Sequence, residues 1–290
     1  PVDDGIVIVD ADTKSNLMLG NFKRWPRRHF TAAINRLNAD GARLVFLDVM
    51  FMRGGLASEN RALADTIMSG GNVIIGYYLQ IDPRSLKKKP TDSVSGERLV
   101  GRSPSDSTRF LRAYNMNLPI PELVFSARKL GFTNCIPDPD GTLRRIPLFI
   151  GYRRSTLSSA SLQMWMYLKG VKASSAVVRP DGARFGDTFI PTDRYGFMRL
   201  NFRNAGHEHP RISFQEVLNG RFAPGTFRGK VVMVGSSSEL LKDIKRVPGH
   251  RSLPGVEIHA AALSTLLSGK FIRVAPVSSM LALSIVAGVV

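Results

Sequence analysis

Four short apolar runs, rich in valine, isoleucine and leucine, lie near the two ends of the chain at residues 6–9, 43–50, 72–78 and 231–234. Runs without alternating polar positions are typical of strands buried on both faces of a parallel sheet. Between and after them, helices are predicted over 26–39, 58–68 and 256–267, the first from apolar residues at helical spacing. Strand, helix and strand in alternation, joined by short links, predict a parallel sheet with crossover helices.

The middle of the chain has a different pattern, which predicts antiparallel strands. A Pro-Asp-Gly turn at 139–141 separates predicted strands at 132–136 and 143–152, because glycine readily adopts a positive φ. Further short strands are predicted at Val177, over 185–190 and over 197–202, and a helix over 158–169. The predicted fold class is therefore α/β, with a largely parallel central sheet and crossover helices plus an antiparallel β-rich middle segment.

Two segments depart from these patterns. Residues 82–109 have no periodicity and are rich in serine, proline and charge, which predicts a flexible insertion or, alternatively, a lid over a site. Residues 274–290 carry no charge and fall just short of the roughly 20 residues that cross a bilayer. We predict one domain over 1–273 and the start of a truncated transmembrane helix over 274–290, with a buried C-terminal helix as the alternative.

The charge balance is strongly basic: 40 Lys+Arg against 23 Asp+Glu give a net charge of +17. The basic residues are scattered rather than concentrated with aromatic residues, so we expect no nucleic-acid partner. Two interpretations remain, a solvated basic surface or a surface close to anionic lipid, where each basic residue gains about 1 kcal/mol. The one cysteine, Cys135, cannot form an intramolecular disulfide, and its apolar surroundings in the sequence predict a buried side chain rather than a reactive thiol.

Polar residues at the carboxyl ends of the predicted parallel strands are the candidates for a ligand site. Asp10 and Asp48 each follow a strand, and Ser236 follows a third. Ligands of open α/β sheets bind outside these strand ends. Three more candidates come from the following loop and helix start: Asp243, Glu257 and His259. The functional interpretation is a polar pocket for a small ligand. The structural alternative is that the carboxylates bind neighbouring backbone N–H groups and that Glu257 is favoured by the helix dipole.

Other chemistry has little support in the sequence. No two of these residues have the spacing of a metal site, and the usual nucleophile and phosphate-binding motifs are missing. We therefore expect no metal, no cofactor and no catalytic residue. His207 and His209 lie two apart in a predicted loop, where we expect exposure to solvent rather than ligation.

Several segments resemble one family in their order along the chain. They are IVIVDAD at 6–12, WPRR at 25–28, GARLVFLDVMF at 41–51, GNVIIGYY at 71–78, FTNCIPDPDGTLRRIP at 132–147, IPTDRYGFMRLNFR at 190–203 and the strand–loop–helix block at 230–267. Together they resemble the type 2 CHASE domains, sensory extracellular modules of bacterial cyclases and histidine kinases. The WPRR segment matches a Trp-Pro-Arg region of that family, which adds Arg28 to the ligand-binding candidates.

The resemblance implies an extracytoplasmic sensory domain at the bacterial inner membrane, held by terminal helices and expected to be a homodimer. It implies a small-molecule or surface signal and an output domain beyond this chain, a nucleotide cyclase, diguanylate cyclase or kinase. The chain itself would not be an enzyme. The alternative is a membrane-anchored enzyme of hydrolase type that uses the acidic crevice.

Overall fold

The computed structural model describes residues 5–52, 54–81, 110–153, 155–179, 181–202, 209–238, 243–249 and 251–273. The predicted insertion at 82–109 and the predicted membrane segment at 274–290 lie outside these residues. Within the described ranges, no helix is both long enough and apolar enough to cross a bilayer.

The elements alternate between the helical and extended patterns that the sequence suggests. The helices are α1 (Thr13–Leu19), α2 (Arg27–Ala39), α3 (Ala57–Gly70), α4 (Pro121–Ser126), α5 (Ala160–Lys169), α6 (Phe214–Leu218) and α7 (Gly255–Ser268). The strands are β1 (Ile6–Asp10), β2 (Leu44–Leu47), β3 (Val73–Ile81), β4 (Arg112–Asn117), β5 (Lys129–Phe132), β6 (Arg145–Pro147), β7 (Phe149–Tyr152), β8 (Ser155–Ser158), β9 (Ala176–Arg179), β10 (Gly182–Phe185), β11 (Thr188–Pro191), β12 (Phe197–Arg199), β13 (Arg211–Ser213), β14 (Val231–Gly235), β15 (Ile244–Val247) and β16 (Arg251–Pro254).

The central sheet is mainly parallel and joins both ends of the chain. Its strands run in the order β13-β1-β14-β2-β3-β4-β7-β8, with β5 also paired to β3. All neighbours from β13 to β3 are parallel, and so is the β3–β5 pair. The four apolar runs at 6–9, 43–50, 72–78 and 231–234 therefore share one sheet, which confirms the predicted fold class.

Alternate residues of the buried strands face two separate cores. Val7 and Val9 of β1 pack with α2 and α3, whereas Ile6 and Ile8 face the side covered by α5 and α7. Phe46 of β2 lies on the same side as Ile8. Because side chains alternate along a strand, Asp10 and Asp48 continue the face that α7 covers.

The antiparallel part differs from the prediction in three places, the first of which is that residues 143–152 form two strands, β6 and β7, in different sheets. Residues 133–136 are not a strand, because the side chain of Asn134 pairs with both the backbone N–H and C=O of Leu79 (2.9 and 2.8 Å) and takes the place of strand pairing. The predicted strand over 185–190 is two strands, β10 and β11, joined by a tight turn at Gly186, whose φ is +57°. Further antiparallel pairs in the described residues are β9–β10, β6–β12 and β15–β16, and within the central sheet β3–β4 and β7–β8.

Candidate functional site

Asp10 and Asp48 lie at the same edge of the sheet, with β14 between them. Asp10 is paired in register with Gly235 of β14, and the N–H of Asp48 donates to the carbonyl of Val234 (2.8 Å). Two strand spacings separate β1 from β2, about 10 Å. The two aspartates are therefore second neighbours across the edge and do not form a directly opposed pair.

The start of α7 fills the space over the strand between them. A methyl group placed on Gly235 would lie 2.6 Å from Cβ of Val256, closer than real side chains approach. Only glycine at this position lets the helix approach the sheet so closely. The first turn of α7 consequently divides the edge into two sides, one around Asp10 and one around Asp48.

On the Asp10 side, four charged or ionisable side chains form a buried ion chain, defined as Asp10, Arg211, Glu257 and His209. Arg211 donates through Nη1 to Asp10 Oδ2 (3.1 Å) and through Nη2 to Glu257 Oε2 (2.5 Å). His209 Nδ1 lies 3.0 Å from Glu257 Oε1, and these two side chains are 2% and 1% exposed. Burial opposes ionisation of Glu257, but its hydrogen bonds and the charges of Arg211 and His209 prevail and lower its pKa. The carboxylate of Glu257 therefore stays charged in the interior.

Ser236 completes this side through backbone contacts. Its hydroxyl donates to the carbonyl of Ala11 (2.7 Å) and accepts from the N–H of Ser238 (3.1 Å). The N–H of Ser237 donates to Asp10 Oδ1 (2.8 Å). These bonds hold the turn after β14 against the end of β1. Asp10 therefore binds a neighbouring backbone N–H group, as the structural alternative in the sequence analysis describes.

On the other side, Asp48 belongs to a group that we call the Asp48 cluster: Asp48, Asp243, Lys245 and Cys135. Burial and then the charge of Asp243 raise the pKa of Asp48 from 3.8 to about 7, an effect that Lys245 partly offsets. Asp243 is half-exposed and pairs with Lys245 (Nζ to Oδ1, 3.0 Å). Burial, Asp243 and Asp48 also raise the pKa of the Cys135 thiol, so the thiol stays protonated at neutral pH.

Asp243 is also tied to the start of α7. Its carbonyl accepts the N–H of Gly255 (3.0 Å), and a methyl group on Gly255 would lie 2.1 Å from Asp243 Oδ2. The positive end of the helix dipole therefore lies next to this carboxylate. Any change in the charge around Asp243 acts directly on the first turn of α7.

His259 lies deeper, beneath the Asp48 cluster. It is 2% exposed, its ring packs edge-on against Phe46, and Nδ1 is 3.4 Å from the hydroxyl of Ser161. Burial lowers the pKa of His259 to about 4, although the charge of Asp243 and a hydrogen bond with the backbone of Thr133 oppose this. Ser161 is fully buried, so the Ser161–His259 pair does not present a nucleophile to solvent.

Arg28 lies apart from both sides of the edge. Its Nη1 donates to Glu59 Oε1 (2.6 Å) and links α2 to α3 on the opposite face of the sheet. Trp25 beside it is buried and donates its indole N–H to the carbonyl of Gly20 (2.7 Å). This segment therefore packs and links the helices on that face of the sheet and lies away from the polar edge.

The structure thus brings Asp10 and Glu257 together in one group and Asp48 and Asp243 in another, with His259 below the second. Sequence reasoning missed Arg211 and Lys245, and it was wrong to expect an exposed His209, which is buried against Glu257. In the described part of the chain, no group of three or more His, Cys, Asp and Glu side chains could hold a metal ion.

The fold is thus a mainly parallel α/β sheet with a polar strand edge and smaller antiparallel sheets. The CHASE2 domain family matches the chain over residues 1–290, and the chain belongs to this family of extracellular sensory domains. Neither the curated proteins nor the solved structures include a significant match.

Proposed function

We propose that the chain is the extracytoplasmic input domain of a bacterial membrane-bound signalling protein and that the Asp48 cluster is its ligand site. In this proposal, residues 274–290 begin the membrane helix, and an output domain of cyclase, diguanylate cyclase or kinase type follows it. The family assignment and the uncharged run at 274–290 support this arrangement. The homodimer that the family resemblance implies belongs to the same proposal.

One observation carries the choice of site. Asp48 and Asp243 interact electrostatically at the carboxyl edge of the sheet, and Asp243 contacts the first residue of α7. On the other side, Asp10, Glu257 and His209 are buried and paired with Arg211 or with one another, so we assign the ion chain a structural role. The Asp48 cluster keeps a half-exposed carboxylate on Asp243 and a partly protonated one on Asp48, which are groups that a ligand can reach and change.

The electrostatics indicate the ligand's chemical class. With a pKa of about 7, Asp48 is partly protonated at neutral pH because ionisation next to Asp243 is unfavourable. A ligand with a cationic amine or guanidinium group would favour the ionised form, so binding would release a proton from Asp48. Such a ligand shifts the domain only through its different affinity for two states. In this domain the two states would differ in the position of the first turn of α7, which contacts Asp243.

The test uses the full-length protein in membranes, with output activity measured as a function of added putrescine and agmatine as cationic probes. Asp48→Asn should abolish the response while leaving basal output intact. Asp65→Asn is the matched control, because Asp65 lies exposed on α3 and away from the cluster. An unchanged response in Asp48→Asn would refute the site.

Salt separates this site from a basic sensing surface. Exposed charges are screened beyond about 8 Å at physiological ionic strength. A response that fades with salt but survives Asp48→Asn would assign sensing to the scattered arginines and lysines. Light scattering of the purified full-length protein measures the proposed homodimer independently.

A further inference from the structure

A second concave site lies at the other end of α7, away from the Asp48 cluster. It is a half-open cleft of about 470 Å³ between β11, β12 and the segment that follows α7. This size is within the range of small-molecule sites. Its apolar wall consists of Phe189, Pro191, Phe197 and Ile272.

The cleft also contains uncompensated positive charge. Arg145 is neutralised, since it donates to Asp138 (2.9 Å) and to Asp193. The other oxygen of Asp193 accepts from the backbone N–H groups of Tyr195 and Phe197 (2.9 and 3.0 Å). Two further arginines line the cleft, Arg199 and Arg273, and neither has a carboxylate partner among the residues that the structure describes.

The balance of the remaining charges favours an anion. Asp181, which is exposed, also lines the cleft, so two guanidinium groups without a described partner face a single such carboxylate. Arginine binds carboxylate and phosphate through paired hydrogen bonds, and it does so best beside apolar surface that excludes water. Two arginines without a carboxylate partner in the described residues therefore line the same cleft as two phenylalanines, and this combination matches an anion attached to an apolar group.

The cleft is built on residues 270–273, the short segment that follows α7. The side-chain amide of Asn201 donates to the carbonyl of Lys270 (3.0 Å), and the N–H of Asn201 donates to Thr265 Oγ1 (3.2 Å). These bonds hold residues 270–273 beside β12, so Ile272 and Arg273 form one wall of the cleft. A ligand here would contact both the segment after α7 (residues 270–273) and the strands β11 and β12.

We propose that this cleft binds an organic anion, with its phosphate or carboxylate on Arg199 and Arg273 and its apolar part against Phe189 and Phe197. Two sources have this chemistry: the headgroup of an anionic lipid, or a soluble organic anion. The lipid source rests on the proposed membrane helix at 274–290, whereas the soluble source does not. Neither depends on the Asp48 cluster, so failure of one site leaves the other standing.

The experiment uses the 290-residue chain in nanodiscs and follows backbone hydrogen exchange by mass spectrometry. One arm compares phosphatidylcholine discs with discs that contain phosphatidylglycerol. The other arm adds phenyl phosphate or inorganic phosphate to phosphatidylcholine discs. We expect slower exchange at residues 188–199 and 270–273, and Arg199→Gln with Arg273→Gln should weaken binding at least about tenfold. Arg179→Gln is the control. Arg179 is exposed on β9, in the same three-stranded sheet as Phe189 of β11, but it does not line the cleft.

Each outcome decides the proposal. Protection by phosphatidylglycerol alone supports the lipid source, and protection by phenyl phosphate supports the soluble source. No protection in either arm, or equal protection in the Arg199/Arg273 double variant, overturns the site. Equal protection by inorganic phosphate and phenyl phosphate would overturn the claim that Phe189 and Phe197 bind an apolar group of the ligand. Arg273→Gln alone changes an exposed side chain and keeps the test valid if the double variant unfolds.

Discussion

Glu257 in the first turn of α7 and Arg211 on the edge strand β13 form a buried ion pair, with 2.5 Å between Oε2 and Nη2. Arg211 also binds Asp10, so one guanidinium connects the start of α7 to two strands of the sheet. The Glu257 side chain is 1% exposed and the Arg211 side chain 17%. This contact fixes where α7 begins, and the Asp48 cluster and His259 both depend on that position.

Loss of Arg211 should destabilise the domain strongly. Arg211→Met leaves the buried carboxylates of Glu257 and Asp10 without their cation, and breaking a buried pair in this way costs about 3–5 kcal/mol. Equilibrium unfolding in urea, followed by circular dichroism, measures the loss. Arg221→Met removes an exposed partner of Glu216 and should leave stability unchanged within error. Equal losses in the two variants would contradict a special role for the ion chain.

Asp48 should give the domain an unusual dependence on pH. Its pKa is raised from 3.8 to about 7 in the folded state, so the folded state holds more protons than the unfolded state between these values. The contribution of Asp48 to stability should therefore fall as pH rises from about 4 to about 7, by about 2 kcal/mol for this partly exposed group. Asp48→Asn should remove this decline in a series of urea unfolding curves. A wild-type curve with the same slope as the variant would show that Asp48 ionises normally.

His259 should act in the opposite direction. Its pKa is lowered from 6.5 to about 4, so the unfolded state binds the extra proton between these values. The contribution of His259 to stability should be complete above about pH 6.5 and should fall by about 3 kcal/mol as pH drops towards 4. His259→Leu should flatten this acid limb, although it loses the contacts of the ring at neutral pH. Imidazole NMR shifts measure the pKa directly, and a value near 6.5 would contradict the prediction.

The parallel core could be predicted from the sequence because its signal is local. The strands β1, β2, β3 and β14 are predicted from apolar runs. An apolar run without alternation is typical of a strand that is buried on both faces, which indicates a parallel sheet covered by helices. The strand ends then place Asp10 and Asp48 at one edge. The strand order is not local information, so the insertion of β14 between β1 and β2 could not be predicted.

The contacts that complete the site depend on distant partners. Ser213 and Glu216 have capping-box spacing, yet the Ser213 hydroxyl donates to Asp12 Oδ1 (3.0 Å) and Glu216 pairs with Lys14 and Arg221. Arg211 likewise gives no local sign of its role, because Asp10 lies 201 positions away. A charged residue in a short polar segment is usually solvated, and only the tertiary fold shows that this one is not.

The close approach of α7 to Gly235 provides the last prediction. A methyl group at this position would lie 2.6 Å from Cβ of Val256, which is fixed to the helix backbone and cannot rotate away. Gly235→Ala should therefore push the start of α7 from the sheet and cost about 1–3 kcal/mol, as overpacking does. Gly70→Ala is the comparison variant in a helix, where alanine is favoured by up to about 1 kcal/mol: its methyl would lie 2.5 Å from Nδ2 of Asn38, a side-chain end that can shift at the cost of its hydrogen bond with Asn72. Since Glu257 and His259 move with the helix, Gly235→Ala should also shift the pKa of His259 towards 6.5. A stability and an imidazole titration that match those of Gly70→Ala would show that α7 does not depend on this contact.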